Sequence, residues 1–84
     1  MFHKFKMLSQ QKQLNLIRGK GVFLMSYKQY NVNMRLFQID GYYAEIFSFD
    51  DDGKIAMINA FEDVKYLDPY LERMDLSPLI NGWP

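Results

Sequence analysis

Few side chains in this sequence could act together as acid, base, nucleophile or metal ligand. The single histidine, His3, stands near the start, so a histidine general base or a multi-histidine metal site would need a second chain. There is no cysteine, which removes thiolate metal sites, a cysteine nucleophile and any disulfide framework. Ser9, Ser26, Ser48 and Ser77 sit in no nucleophile motif and read as cap or strand residues. Asp50-Asp51-Asp52-Gly53 invites a calcium reading, yet placing Gly53 at the invariant loop glycine puts Ser48 first and Asn59 where a bidentate glutamate belongs. It reads as a solvated turn, and no metal or cofactor is expected. Gly19-Lys20-Gly21 is too short for a phosphate-binding loop and precedes a strand, so it offers a phosphate no helical amides. Glu45 stands in an apolar run, and a buried carboxylate must be paired or raised in pKa. The expectation is a structural pair with Asn59, Gln38 or a basic side chain; a site acid, resting on Glu45 and tyrosines alone, is the alternative. No catalytic residue is assigned, and the chain reads as non-enzymatic.

The elements that position these residues follow from pattern and punctuation. Ser9 is an N-cap candidate, Gln10 to Arg18 are mostly good helix formers with Leu14 and Ile17 three apart, and Gly19 marks a stop, which predicts a helix over 9–18. Phe5 and Leu8 share its apolar face, so it can begin earlier; a loose tail over 1–8 is the alternative. After Gly21 the pattern becomes β-rich, with strands expected at Val22 to Lys28, Asn33 to Ile39, Tyr42 to Phe49 and Lys54 to Glu62. Asp40-Gly41 is the strongest turn signal, a two-residue type I′ hairpin that needs positive φ twice. Asp51-Asp52-Gly53 fits a type I turn closed by a glycine bulge. Glu62 to Leu67 reads as a connection with a helical turn, Asp68-Pro69 as an N-cap and first helical residue, and Ser77-Pro78 as a repeat of that grammar before a loose or docked end at 81–84. The fold class is α+β: a four-stranded antiparallel meander with an N-terminal helix and a short C-terminal helix, in one domain over 1–84. Strands one and four are its edges, and Lys28 and Lys54 near the turns discourage further pairing there.

Pairing Ile39 with Tyr42, and Asp50 with Lys54, assigns each strand residue to a face. One face carries Phe37, Ile39, Ala44, Ile46, Ala56, Ile58 and Ala60, whose alanines would let a helix approach closely. The other carries Met34, Leu36, Tyr43, Phe47, Phe49, Ile55, Met57 and Phe61, interrupted by Gln38, Glu45 and Asn59. Both are apolar, whereas a sheet with one wet face alternates. Two short helices are expected to cover one face well and the other partly; a split between the faces is the alternative.

Net charge is zero but segregated. Lys4, Lys6, Lys12, Arg18, Lys20, Lys28 and Arg35 precede Asp40 with no acid among them, a segment of +7. The remainder holds all ten acids against Lys54, Lys65 and Arg73, a segment of −7.

The run Asp40-Gly41-Tyr42-Tyr43-Ala44-Glu45-Ile46, followed by Leu67-Asp68-Pro69-Tyr70-Leu71 and Met74-Asp75-Leu76, resembles a group of short uncharacterised bacterial proteins of Bacteroides relatives. The resemblance spans about residues 13–80. It implies a Gly-aromatic-aromatic segment leading into a strand that bears a glutamate, and an Asp-Pro-Tyr-Leu start to a terminal helix. Ala44 stands where that pattern has a β-branched residue. The resemblance implies no activity.

Three functional classes remain. The first is an interaction module that self-associates, as a homodimer, through Met34, Leu36, Tyr43, Glu45, Phe47, Phe49, Met57 and Phe61. The second is binding of another protein or a small apolar ligand on that face. The third is single-stranded nucleic acid, favoured by the basic first half and the aromatic strands and opposed by the acids of strands three and four. The longest apolar run near the start, Val22 to Met25, falls far short of the roughly 20 residues a membrane span needs, so a cytoplasmic protein without membrane contact is expected.

Overall fold

A computed structural model describes residues 2–73 of the chain, in the order helix α1 (Phe2–Met7), helix α2 (Gln10–Lys20), strands β1 (Val22–Gln29), β2 (Val32–Ile39), β3 (Tyr42–Phe49) and β4 (Ile55–Phe61), a 3-10 turn (Val64–Leu67) and helix α3 (Asp68–Arg73). The expected Ser77-Pro78 helix start and the segment 81–84 lie outside the described residues. Ser9 caps α2, its hydroxyl accepting from the Lys12 N–H at 3.3 Å, and Gln13 Nε2 donates to the Phe5 carbonyl at 2.9 Å, which ties α2 back to α1. Residues 2–7 are therefore a separate short helix with Phe5 in the core. The helix ends later than Gly19 predicts: Gly19 lies inside α2, and Gly21 ends it, donating its N–H to the Ile17 carbonyl at 2.8 Å. A Cβ on Gly21 would sit 2.5 Å from that oxygen, so the chain can turn into β1 only where there is none.

The sheet is the expected antiparallel meander, order β1-β2-β3-β4, with Ile39 opposite Tyr42. The left-handed conformation falls on the first residue of each two-residue turn, Tyr30 (φ 58°) and Asp40 (φ 50°). Gly41 does not need it, so the expected type I′ geometry with positive φ at both positions is not formed. Two irregularities escape the alternating pattern. One lies between Phe23 and Met25. The other brings Ser48 opposite Ile55 directly after Phe47 opposite Met57, leaving Ala56 as the extra residue of a bulge. That extra residue reverses the faces expected at the start of β4: Ile55 joins the cluster around Ile46, and Ala56 is exposed.

The helices divide between the faces. Helices α1 and α2 bury Phe5 and Ile17 against Ile39, Tyr42, Ala44 and Ile46, with Phe37, Ile58 and Ala60 at the margin. The 3-10 turn and α3 bring Leu67 and Tyr70 onto Leu36 and Phe61 on the opposite face. The 3-10 turn is capped by Asp63, whose carboxylate accepts from the Lys65 N–H at 2.9 Å. Asp68 itself has helical dihedrals (φ −52°, ψ −45°) and is the first residue of α3, not its N-cap, because the chain already enters as a helical turn. No helix among the described residues is long and apolar enough to cross a membrane.

Candidate functional site

The sheet face that carries the candidate residues is divided along its length. At the end near Ile39 and Tyr42, Leu36 and Phe61 are buried under Tyr70, and Tyr43 is half-buried, stacked on Phe61 with ring centroids 5.4 Å apart. Met25 and Tyr27 of β1 complete this cover, the Tyr27 ring meeting Tyr70 edge-on at 5.0 Å. At the end near the Tyr30 and Asp51 turns the face is open among the described residues. Met34 and Phe47 are half-buried there, while Phe49 is 39% and Met57 51% exposed. The pleat explains the grouping: Val32 pairs with Phe49, Met34 with Phe47, and Phe47 with Met57, so their side chains stand on one face as neighbours across three strands.

Glu45 lies at the boundary between the covered and open ends. Its neighbours across the sheet are Leu36 and Asn59. Asn59 Nδ2 donates to Glu45 Oε1 at 2.8 Å, and the Tyr70 hydroxyl donates to Oε2 at 2.8 Å. Both oxygens therefore have a donor, and the carboxylate acts as a latch for α3. Burial, followed by the hydrogen bond and charge of Glu45, holds the Tyr70 phenol well above the usual tyrosine range. The sequence offered Asn59, Gln38 or a basic side chain as the partner of Glu45, and the structure selects Asn59. The sequence did not name Tyr70, because a contact across 25 residues leaves no local spacing signal. No family model, no curated protein and no solved structure matches this chain.

The acidic turn is occupied with structural work. Asp50 accepts from Asn33 Nδ2 at 3.2 Å and pairs with Lys28 Nζ at 3.1 Å, and its N–H donates to the Asn31 carbonyl at 2.7 Å, fastening the β3–β4 turn to the β1–β2 turn. The hydrogen bonds from Asn33 and Lys28, with the Lys28 charge, hold its carboxyl below the usual range. Asp52 accepts from the Lys54 N–H at 2.9 Å, and Gly53 takes φ 69°. No group of three or more metal-ligating side chains occurs among the described residues. His3 is exposed on α1 beside Phe2.

Around the edge of β4 runs an open groove of about 700 Å³. Phe2 borders it from one side of the sheet and Tyr66 and Pro69 from the other, with Ala60, Phe61, Glu62 and Asp63 along its floor. Nothing in the sequence pattern identifies this groove, since it joins residues 2 and 66 across a strand edge.

Proposed function

We propose that this chain is a small non-enzymatic interaction module that pairs with a second copy of itself through the open end of the aromatic and methionine-rich face. The observation that carries the reading is the exposure of Phe49 and Met57 beside half-buried Met34 and Phe47, an apolar patch left after both helical layers are in place. Met side chains adapt to an opposing surface without a preset shape, which suits a self-complementary contact. The separation of +7 and −7 segments on one neutral chain favours a second copy over a uniformly charged partner. Of the eight candidate residues, Met34, Phe47, Phe49 and Met57 would form the contact, while Leu36, Tyr43, Glu45 and Phe61 hold the covered end. A bacterial, cytoplasmic setting belongs to the same proposal, on the resemblance given above.

Solution mass over a concentration series tests it. The chain should move from monomer to dimer, and Met57→Lys, placing a charge in the patch, should return it to monomer with its circular dichroism unchanged. A wild-type chain that stays monomeric at high micromolar concentration would overturn the reading and leave the face to a different protein.

A further inference from the structure

The cover that α1 and α2 give their face of the sheet stops at Phe37 and Ile46. Toward the Tyr30 turn the same face becomes polar, with Ser26 directly opposite Arg35 and Ser48 opposite Asn33. These four residues, with Asp50 and Gly53, line an open pocket of about 400 Å³. Two observations set it apart from a merely solvated sheet end. Arg35 is exposed and makes no ion pair or hydrogen bond among the described residues. Ser48 is the opposite case: it is only 5% exposed on a central strand, yet its hydroxyl also makes no hydrogen bond among the described residues. A polar side chain so deeply buried ordinarily has a partner, and what exposure Ser48 keeps is on the pocket it lines.

We propose that this pocket binds the phosphate group of a small ligand, with the Arg35 guanidinium as the charged donor and the hydroxyls of Ser48 and Ser26 as neutral ones. A guanidinium presents parallel N–H donors that match two oxygens of an oxyanion. A carboxylate has only those two oxygens and would be satisfied by the fork alone. A phosphate has further oxygens, which gives the two neighbouring hydroxyls something to donate to. The volume lies at the small end of the roughly 300–1,000 Å³ typical of ligand pockets, so the fit is to a small molecule. Asp50 is the carboxylate on the rim; it pairs with Lys28 Nζ at 3.1 Å and accepts from Asn33 Nδ2 at 3.2 Å, which offsets its repulsion of an anion. Lys28 and the Asn33 amide are thereby engaged, and the site rests on Arg35, Ser48 and Ser26. With Asp51 and Asp52 on the adjoining turn, the attraction comes from one guanidinium, and added salt should weaken it. The pocket lies on the sheet face opposite Met34, Phe47 and Met57, so it does not depend on the pairing of two copies.

The test is an amide-resolved NMR titration of the full chain at low salt with inorganic phosphate, glycerol phosphate and acetate. Both phosphate probes should shift the amides of Ser26, Arg35 and Ser48 and saturate, and acetate should bind about ten-fold more weakly. Whichever phosphate probe binds tighter tells whether the ligand is the free ion or an ester, and either result upholds the site. Arg35→Gln should weaken phosphate at least about ten-fold and Ser48→Ala about five-fold, whereas Lys12→Gln, which removes the same charge elsewhere, should change it less than about two-fold. Ser48→Ala should unfold no more readily than the wild type in phosphate-free buffer, because it deletes a hydroxyl with no partner. Acetate binding as tightly as phosphate would overturn the assignment in favour of a carboxylate. Shifts spread over the lysines of α1 and α2 without saturation would mean an adventitious ion only. Undiminished binding in Arg35→Gln, or a Ser48→Ala chain that is destabilised without phosphate, would likewise overturn it, the first by removing the charged donor and the second by giving the hydroxyl a structural role.

Discussion

The two faces of the sheet are closed by different physics. Under α1 and α2 the closure is apolar: Phe5, Ile17, Ile39 and Ile46 are buried with Ala44, whose small side chain lets the helices approach. Among the described residues the Tyr42 hydroxyl is buried there without a hydrogen-bond partner, beside the Phe2 and Phe5 rings. Under α3 the buried apolar cluster among the described residues is smaller, Leu36, Phe61 and Tyr70, and a two-donor carboxylate fixes the helix in place. Apolar burial scales with area and tolerates small displacement, whereas a hydrogen bond to a carboxylate fixes position. The α1/α2 side should therefore supply stability, and the α3 side should supply a defined seat for one short helix that would not hold itself in water.

The largest way to break this contrast is Phe5→Ala, which should cost about 3–5 kcal/mol by urea denaturation. A loss no greater than that of the latch variant would mean that the two sides share the load. Next is Tyr70→Phe, which keeps the ring and removes a hydrogen bond to a charged acceptor, for an expected loss of about 1–2 kcal/mol. Amide exchange should quicken in α3 and remain slow in β2 and β3; uniform quickening would refute a local latch. Alkaline titration sharpens the same point. Tyr70 and Tyr42 are both raised above the ordinary value of about 10, Tyr70 by burial and Glu45, Tyr42 by burial and the Asp40 charge. Their contribution to stability is thus present below pH about 10 and lost as pH rises toward the folded-state values. Unfolding free energy should decline above that pH, less steeply in Tyr70→Phe; an equal slope in the variant would remove Tyr70 as its source. The smallest effect is Tyr42→Phe, which deletes an unsatisfied hydroxyl and should raise stability by up to about 1 kcal/mol, whereas a clear loss would reveal a partner for that oxygen.

What the sequence made legible was local. Strand positions, the Asp40-Gly41 reversal and the Glu45–Asn59 pair follow from alternation and turn residues, which act within a few positions. Three kinds of feature were not legible. Bulges insert a residue without a signature, and that moved Ile55 to the α1/α2 face. Helix ends depended on contacts made elsewhere: Gly21, not Gly19, ends α2 because its backbone touches Ile17, and Asp63, not Asp68, caps the segment leading into α3. The division of helices between the faces was the third, since both faces are apolar and either could have drawn both helical layers. Of the candidate residues, the pattern placed Met34, Phe47, Phe49 and Met57 on one face. That Leu36 and Phe61 would be covered there depended on Tyr70, remote in sequence.

The meander also has a consequence in time. Every strand pairs with its neighbour in sequence through a short turn, so the sheet closes by contacts of low sequence separation, the kind that form early and fast. The Tyr70 hydroxyl must instead find Glu45 at a sequence separation of 25. Docking of α3 is then a late event on the folding route: removing the hydroxyl should speed unfolding while leaving the refolding rate nearly untouched.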